Sequence, residues 1–183
     1  MEIDALIHSM NQLIQAVRIT INHQLQVPSL ILIYSGIDVA GWLGAEKPNM
    51  KVQESFVSWV ENFMFPIGQS SCSATDLYSA RCAILHTLTP DSRLSKLGKA
   101  RRIAYAWGSS TIEDLDLAIR KSGYPGLVVL HVDDLLEAFE GAWRNFIDFQ
   151  KDDKTRAPLF EERSKKMYVP ISSNEINDYL EKE

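Results

Sequence analysis

The stretch Ser73-Ala-Thr-Asp-Leu-Tyr-Ser-Ala-Arg-Cys-Ala-Ile-Leu-His-Thr-Leu-Thr-Pro90 decides the fold of this chain. It predicts one short helix, because Ser73 suits an N-cap, Asp76 follows in the first turn and Pro90 limits continuation. At helical spacing the apolar residues form one stripe, made of Leu77, Ala80, Ile84, Leu85 and Leu88. Arg81 falls within that stripe and His86 falls on nearly the opposite side.

The position of Arg81 requires an anionic partner or a polar cleft, because an arginine on a core-facing stripe keeps its charge. Asp38, which interrupts the apolar run Pro28–Leu43, is the expected partner on a neighbouring helix. In a structural interpretation the pair only neutralises a buried arginine, and His86 is a surface residue. In a functional interpretation Asp38 aims the guanidinium at a ligand. The residues leave both open.

The spacing of Arg81 and His86 limits how the two side chains meet one ligand. Five helical residues separate their Cα atoms by about 7.5 Å along the axis, on sides roughly 140° apart. A shared ligand therefore requires that Arg81 reaches around the helix, or that a second copy of the chain supplies the missing group. In the remaining alternative the protein is a monomer whose Arg81 and His86 never share a ligand.

The hexapeptide Arg81-Cys-Ala-Ile-Leu-His86, preceded by Asp76-Leu-Tyr78, resembles the Arg-x4-His signature of the HEPN superfamily. These are helical-bundle proteins, many of them metal-independent ribonucleases that work as dimers. The order of the preceding helices is similar as well: an apolar helix carrying Ser35-Gly-Ile-Asp38, then an aromatic-rich helix around Phe56–Phe65. The resemblance covers roughly residues 1–90. It implies a mainly α, HEPN-like up-and-down bundle of four to five long helices.

The resemblance also implies a function, a cytoplasmic endoribonuclease that needs no cofactor or metal and cuts RNA by 2′-hydroxyl attack at a dimer interface. His86 would act as general base or acid and Arg81 as the phosphate clamp, with Asp38, Tyr78 and Ser35 in support. The implied partners are RNA, a second copy and an antitoxin or other partner protein, in a defence or toxin system. Alternatives are a non-catalytic HEPN-like dimer that binds RNA, a nucleotide or a protein, and a bundle with a chance hexapeptide match.

Two residues depart from the family pattern. Cys82 stands directly after the arginine, where the commonest form has a polar residue, often asparagine. Leu88 stands two positions past the histidine, where one variant carries a tyrosine that a partner nucleotidyltransferase modifies.

A basic segment follows the organising helix. Residues 93–102 contain five cations and no carboxylate, namely Arg93, Lys96, Lys99, Arg101 and Arg102. They are candidates for binding flanking RNA phosphates, and a solvated charged turn is the alternative. The net charge of −5 argues against indiscriminate nucleic-acid binding, which needs a broad basic surface.

Length and composition predict one helical domain with an appendage. We expect a bundle over residues 1–155, an insertion at 91–130 with two β candidates, 102–107 and 127–132, and a polar tail at 156–183 with a short helix. Residues 2–26, 28–44, 110–122 and 132–154 are further predicted helices, and a capping box from Ser110 to Glu113 begins the third of them. Two cysteines without a metal or disulfide pattern suggest a reducing cytoplasm. The run Pro28–Leu43 is too short and too interrupted to span a membrane comfortably.

Other chemistries lack a motif in this chain. No phosphate-binding glycine loop and no Gly-x-Ser-x-Gly elbow is present, so nucleotide hydrolysis and serine esterase chemistry have no support. His131 with Asp133 and Asp134 has the residue types of a metal site. The two aspartates suit the first turn of the following helix better, and we therefore expect no metal there.

Overall fold

The computed structural model of the chain describes residues 2–67, 71–124, 126–152, 157–167 and 176. In the first half, four helices follow one another. They are α1 (Glu2–Asn22), α2 (Gln26–Leu43), α3 (Val52–Trp59), which continues as a π-helix over Val60–Met64, and α4 (Ala74–Thr87).

The second half contains a small sheet and the helices around it. Its elements are α5 (Arg93–Lys96), β1 (Arg102–Ala106), α6 (Ile112–Lys121), β2 (Leu127–His131), α7 (Val132–Asp152) and α8 (Ala157–Ser164). The predicted mainly α class is confirmed. The HEPN-specific arrangement of the helices stays a prediction.

Helix α2 lies at the centre of the bundle and packs against α1, α3, α4 and α7. Ile33, Tyr34 and Ile37 of α2 are fully buried, and Phe139 and Phe146 of α7 are buried with them. Each such side chain contributes about 1.5–3 kcal/mol by leaving water. By length and composition α2 is apolar enough to cross a membrane, but half of it is buried inside the protein, as is typical of a core helix.

The turn between α1 and α2 comes earlier than predicted. The sequence predicts a first helix over residues 2–26 and a second from Pro28, whereas α1 ends at Asn22 and α2 begins at Gln26. Gln24 makes the turn in the left-handed region, with φ of 57°. Pro28 falls in the first turn of α2, where its missing N–H costs no hydrogen bond.

Strands β1 and β2 form a parallel pair, with Arg102 opposite Leu127 and Ala106 opposite His131. The sequence predicts both strands and leaves their pairing open. Parallel neighbours need a crossover connection, and α6 supplies it. The predicted N-cap Ser110 is wrong by one residue, because Thr111 caps α6 by accepting a hydrogen bond from the Asp114 N–H at 3.0 Å.

Helix α8 lies where the sequence predicts a polar tail. Phe160 and Arg163 are buried there, and the Arg163 guanidinium donates to the carbonyl oxygens of Trp42 (2.8 Å), in the last turn of α2, and of Ala45 (2.7 Å), just beyond it. Because this segment is polar and has one phenylalanine, its hydrophobic periodicity is too weak to predict a packed helix. Its packing also depends on carbonyl groups more than 110 positions earlier in the chain. The helix predicted from Ser172 lies, except for Ile176, outside the described residues.

Candidate active site

Helix α4 presents Arg81 and His86, and its ends are fixed by local bonds. Ser73 is the N-cap as predicted: its hydroxyl accepts from the Asp76 N–H at 3.1 Å, and the Asp76 carboxylate accepts from the Ser73 N–H at 2.9 Å. This reciprocal capping box sets where the helix begins. The helix ends at Leu88, which adopts the left-handed conformation with φ of 51° and is exposed.

The predicted ion pair of Arg81 with Asp38 is confirmed as a contact. Arg81 Nη2 donates to Asp38 Oδ2 at 2.5 Å, and the side chains retain only 12% and 25% exposure. Burial alone would lower the pKa of Arg81, but the hydrogen bond and the charge of Asp38 raise it above its ordinary value. The guanidinium is therefore charged and fixed between α2 and α4. A functional role for this pair stays a prediction.

Arg81 also reaches His86 within one chain. Its Nη1 lies 3.1 Å from His86 Nε2, so the long side chain spans the angle that separates the two positions on α4. The sequence allows two ways for Arg81 and His86 to share a ligand, and this contact corresponds to the first, in which Arg81 reaches around the helix. That arrangement needs no second copy of the chain. Arginine has no acceptor atom, so Nε2 accepts the hydrogen bond and carries no proton in this arrangement. The imidazole itself is exposed.

Tyr78 and Cys82 complete the surroundings of the guanidinium. The Arg81 Cζ atom lies 5.9 Å from the Tyr78 ring centroid, and Nη1 lies 4.0 Å from the Cys82 sulfur. The Tyr78 ring packs edge-on against Phe56, with centroids 5.5 Å apart. Burial, with the Cys82 thiol next, raises the pKa of Tyr78 to about 12. Tyr78 therefore stays a neutral hydroxyl near neutral pH and is half-buried beside the arginine.

Two buried polar atoms at this site have no hydrogen-bond partner within the described part of the chain. They are Asp38 Oδ1 and Arg81 Nε. The pair therefore meets through one nitrogen and one oxygen rather than through two parallel bonds. Ser35, the remaining predicted support, is half-buried one turn before Asp38 on α2. Cys82, which the sequence marks only as a departure from the family, joins the site by contact.

The basic segment contains two arginines that pair with carboxylates and three further cations at the surface. Arg101 binds the buried Asp76 carboxylate through its backbone N–H (2.6 Å), its Nε (3.1 Å) and its Nη2 (2.7 Å). Arg102 forms an ion pair with Asp91 at 2.6 Å. Arg93, Lys96 and Lys99 are exposed. The side-chain contacts of Arg101 and Arg102 thus go to Asp76 and Asp91 rather than to Arg81 or His86, and Arg101 has a structural task at the start of α4.

Comparisons with known proteins leave the family unassigned. No protein-family model, curated protein or solved structure matches this chain. Membership of the HEPN superfamily therefore stays a prediction from the residues quoted above. Within the described residues, no group of three or more histidine, cysteine or acidic side chains is placed to hold a metal ion.

Proposed function

We propose that this protein is a metal-independent endoribonuclease in which His86 and Arg81 act on one phosphodiester of RNA. The observation that carries the proposal is the 3.1 Å contact between Arg81 Nη1 and His86 Nε2, with Arg81 held from behind by Asp38. A proton acceptor and a fixed cation meet there at the surface. RNA cleavage through its own 2′-hydroxyl needs that combination.

In the proposed reaction, His86 Nε2 takes the proton of the 2′-hydroxyl as the 2′-oxygen forms a bond to phosphorus. The bond from phosphorus to the 5′-oxygen breaks, and that oxygen takes a proton from water. The products are a 2′,3′-cyclic phosphate and a 5′-hydroxyl end, and the imidazolium returns its proton to solvent. Histidine suits this step because its neutral form is available near neutral pH.

Arg81 would stabilise the charge that grows on the phosphorane oxygens. Each terminal guanidinium nitrogen carries two N–H groups, so the contacts to Asp38 and His86 leave further donors on Nη1 and Nη2. A substrate phosphate that takes over the Nη1 contact releases the lone pair of Nε2 for the 2′-hydroxyl. Asp38 then acts as a positioning residue, since it holds the guanidinium while its other bonds exchange.

We propose further that the protein works as a homodimer, as the resemblance implies. Exposed apolar side chains near the end of α4 support an interface there: Leu88 is 65% exposed, and Leu25 and Val27 in the first turn region of α2 are about half exposed. An isologous interface on this surface would place two copies of His86 near the two-fold axis. Sedimentation velocity of wild type and Leu88→Asp tests this, and a monomeric wild-type protein refutes it.

The nuclease proposal is tested with purified full-length protein in EDTA and a 5′-labelled RNA of mixed sequence. Wild type should generate fragments that end in 2′,3′-cyclic phosphate, and a DNA strand of the same sequence should stay intact. His86→Ala and Arg81→Lys should reduce the cleavage rate by at least about 100-fold, the range of general acid–base and electrostatic contributions. Asp38→Asn should reduce it less, because the arginine itself remains.

A matched control variant distinguishes the effect of losing the candidate site from the effect of a substitution elsewhere. His8→Ala removes another exposed histidine, on α1 and outside the candidate site, and should cut at the wild-type rate. Each variant is compared by circular dichroism and by its unfolding midpoint. RNA that stays intact with wild type, or cleavage that survives His86→Ala in a folded protein, refutes the nuclease and leaves a non-catalytic binding module with a structural Asp38–Arg81 pair.

A further inference from the structure

A basic cleft of about 560 Å³ opens where β1 and β2 begin. The charged side chains in its lining are Lys99, Arg101, Arg102 and Asp76, and Arg102 is paired with Asp91, so these three cations and two carboxylates give a formal charge of +1. The whole chain carries −5. The cleft of about 790 Å³ beyond the opposite ends of the strands differs in sign, because its charged lining is Asp114 and Asp133. An anion is therefore drawn to the amino ends of the two strands.

The arginines of this cleft are held in place and keep donors to spare. Asp76 binds Nε and Nη2 of Arg101, and Nη2 also donates to the Ser71 carbonyl oxygen at 3.0 Å, while the side chain stays 51% exposed. Arg102 meets Asp91 through Nε and stays 46% exposed. Fixed guanidinium groups lose less freedom when they bind an anion, which favours binding.

An aromatic ring stands at the edge of the same cleft. Tyr124 is 65% exposed and belongs to its lining. The glycines beside it, Gly123 and Gly126, have φ of 77° and 88°, and a Cβ added to either would meet no atom within 4 Å. The cleft is therefore unobstructed next to the Tyr124 ring. Cations with an exposed aromatic ring are the combination that binds single-stranded nucleic acid, through phosphate and stacked base.

The cleft continues toward the candidate active site. A second hollow, of about 190 Å³, shares Arg101 and Arg102 with it and is lined by Ala83, Ile84 and Leu88 at the end of α4. That helix carries His86. The ten residues from Asp76 to His86 correspond to about 15 Å along the helix axis. Along the axis, about three turns of α4 therefore separate the start of the cleft from His86.

We propose that the cleft is a nucleotide subsite, which binds one RNA phosphate on Lys99, Arg101 and Arg102 and stacks the attached base on Tyr124. Arg93 and Lys96, although in the same basic segment, lie outside its lining. The inference rests on RNA as the substrate in the proposed function. It adds a binding site remote from the reacting phosphate and assigns a role to an exposed tyrosine that the sequence pattern does not single out.

Binding is measured by fluorescence anisotropy with a fluorescein-labelled decauridylate that is methylated at every 2′-oxygen and so lacks the nucleophile. Tyr124→Ala should weaken binding about five-fold or more, and Tyr124→Phe should bind as wild type does, because the stacking face remains. Lys99→Gln should reduce the magnitude of the slope of log K against log salt by about 0.7, the value for one phosphate contact on a single strand.

Arg93→Gln and Lys96→Gln are the matched controls, since they remove the same charge from the same segment outside the cleft. Unchanged binding in both, with losses in Lys99→Gln and Tyr124→Ala, supports the subsite. Equal losses in all the lysine and arginine variants overturn it in favour of diffuse attraction, and so does unchanged binding in Tyr124→Ala. Uridine 5′-monophosphate should compete only weakly; competition as strong as that of the decamer would overturn RNA as the source of the nucleotide.

Because the labelled oligonucleotide cannot be cut, failure of the subsite and failure of the nuclease are distinguishable. Cleavage that depends on His86, together with wild-type binding in Tyr124→Ala, refutes the subsite alone. Binding that depends on Tyr124, together with no cleavage by wild type, refutes the nuclease alone.

Discussion

Replacement of Asp76 by asparagine is expected to loosen the junction of α4 and β1. The Asp76 side chain is 4% exposed and accepts hydrogen bonds from the N–H groups of Ser73 and Arg101 and from the Arg101 guanidinium. Asparagine has nearly the same shape, but its amide nitrogen accepts nothing. The substitution therefore removes the negative charge and one of the two acceptor oxygens of residue 76, and it leaves the packing unchanged.

The expected loss of stability follows from burial. Removing one partner of a fully buried ion pair costs about 3–5 kcal/mol. Arg101 is 51% exposed and regains water when its partner is lost, so we expect about 2–3 kcal/mol for Asp76→Asn. For a chain of this length that lowers the unfolding midpoint by about 4–12 °C.

The loss should depend on pH. Burial alone would raise the pKa of Asp76, but the hydrogen bonds from Ser73 and Arg101 outweigh it and leave the pKa below its ordinary value. A carboxylate with a depressed folded-state pKa stabilises the fold fully above the pKa of the unfolded chain, about 3.9. This stabilisation disappears as the pH falls through the lower, folded-state pKa. The difference between wild type and Asp76→Asn should therefore be largest near neutrality and shrink in acid.

Urea unfolding followed by circular dichroism between neutral pH and the acid limit measures both effects. Asp116→Asn is the matched control, because Asp116 and Arg120 also meet at 2.7 Å but keep 36% and 74% exposure. Such a surface pair contributes about 0.3–0.5 kcal/mol. Equal losses in the two variants, or a loss in Asp76→Asn that is the same at every pH, would refute the reasoning from burial and charge.

Four further substitutions test the packing. Arg163→Lys should cost about 2 kcal/mol in urea unfolding, because one ammonium cannot reach all the carbonyl groups that the buried guanidinium spans. Gly36→Ala should cost about 1–3 kcal/mol in thermal unfolding, since its Cβ would lie 2.5 Å from Phe139 Cζ. Tyr34→Phe and Tyr105→Phe each break one 2.6 Å hydroxyl contact and should cost about 1–2 kcal/mol, and the double variant should cost less than their sum in a double-mutant cycle.

The parts of the fold that the sequence predicts are those fixed by neighbours in the chain. Ser73 and Asp76 are three residues apart, and their capping box follows from residue type alone. The partner of Arg81 is predictable too, although it lies 43 positions away. A carboxylate inside an apolar helix and an arginine inside an apolar stripe each need a counter-charge, and this part of the sequence offers few alternatives.

The parts that escape prediction depend on long side chains with many rotamers. Helical spacing places Arg81 and His86 about 140° apart, but the flexible arginine closes that angle, and no pattern specifies its rotamer. Arg101 belongs to a basic run that suggests ligand binding, yet Asp76, 25 residues earlier, binds its Nε and Nη2 groups. Tyr124 carries no signal in the sequence, because only the parallel pairing of the strands brings it into one cleft with Lys99.

The charges of the candidate active site constrain how RNA would reach it. Arg81 and Asp38 sum to zero, and the hydrogen bond to Nε2 is made by a neutral His86, so the cluster at rest offers no net attraction to a phosphodiester. Under the proposed function, affinity must then come from another surface, and the basic cleft can supply it, because its three cations outnumber the carboxylates paired with them by one. Variants of Lys99 should therefore raise KM with little change in kcat, whereas variants of His86 and Arg81 should lower kcat.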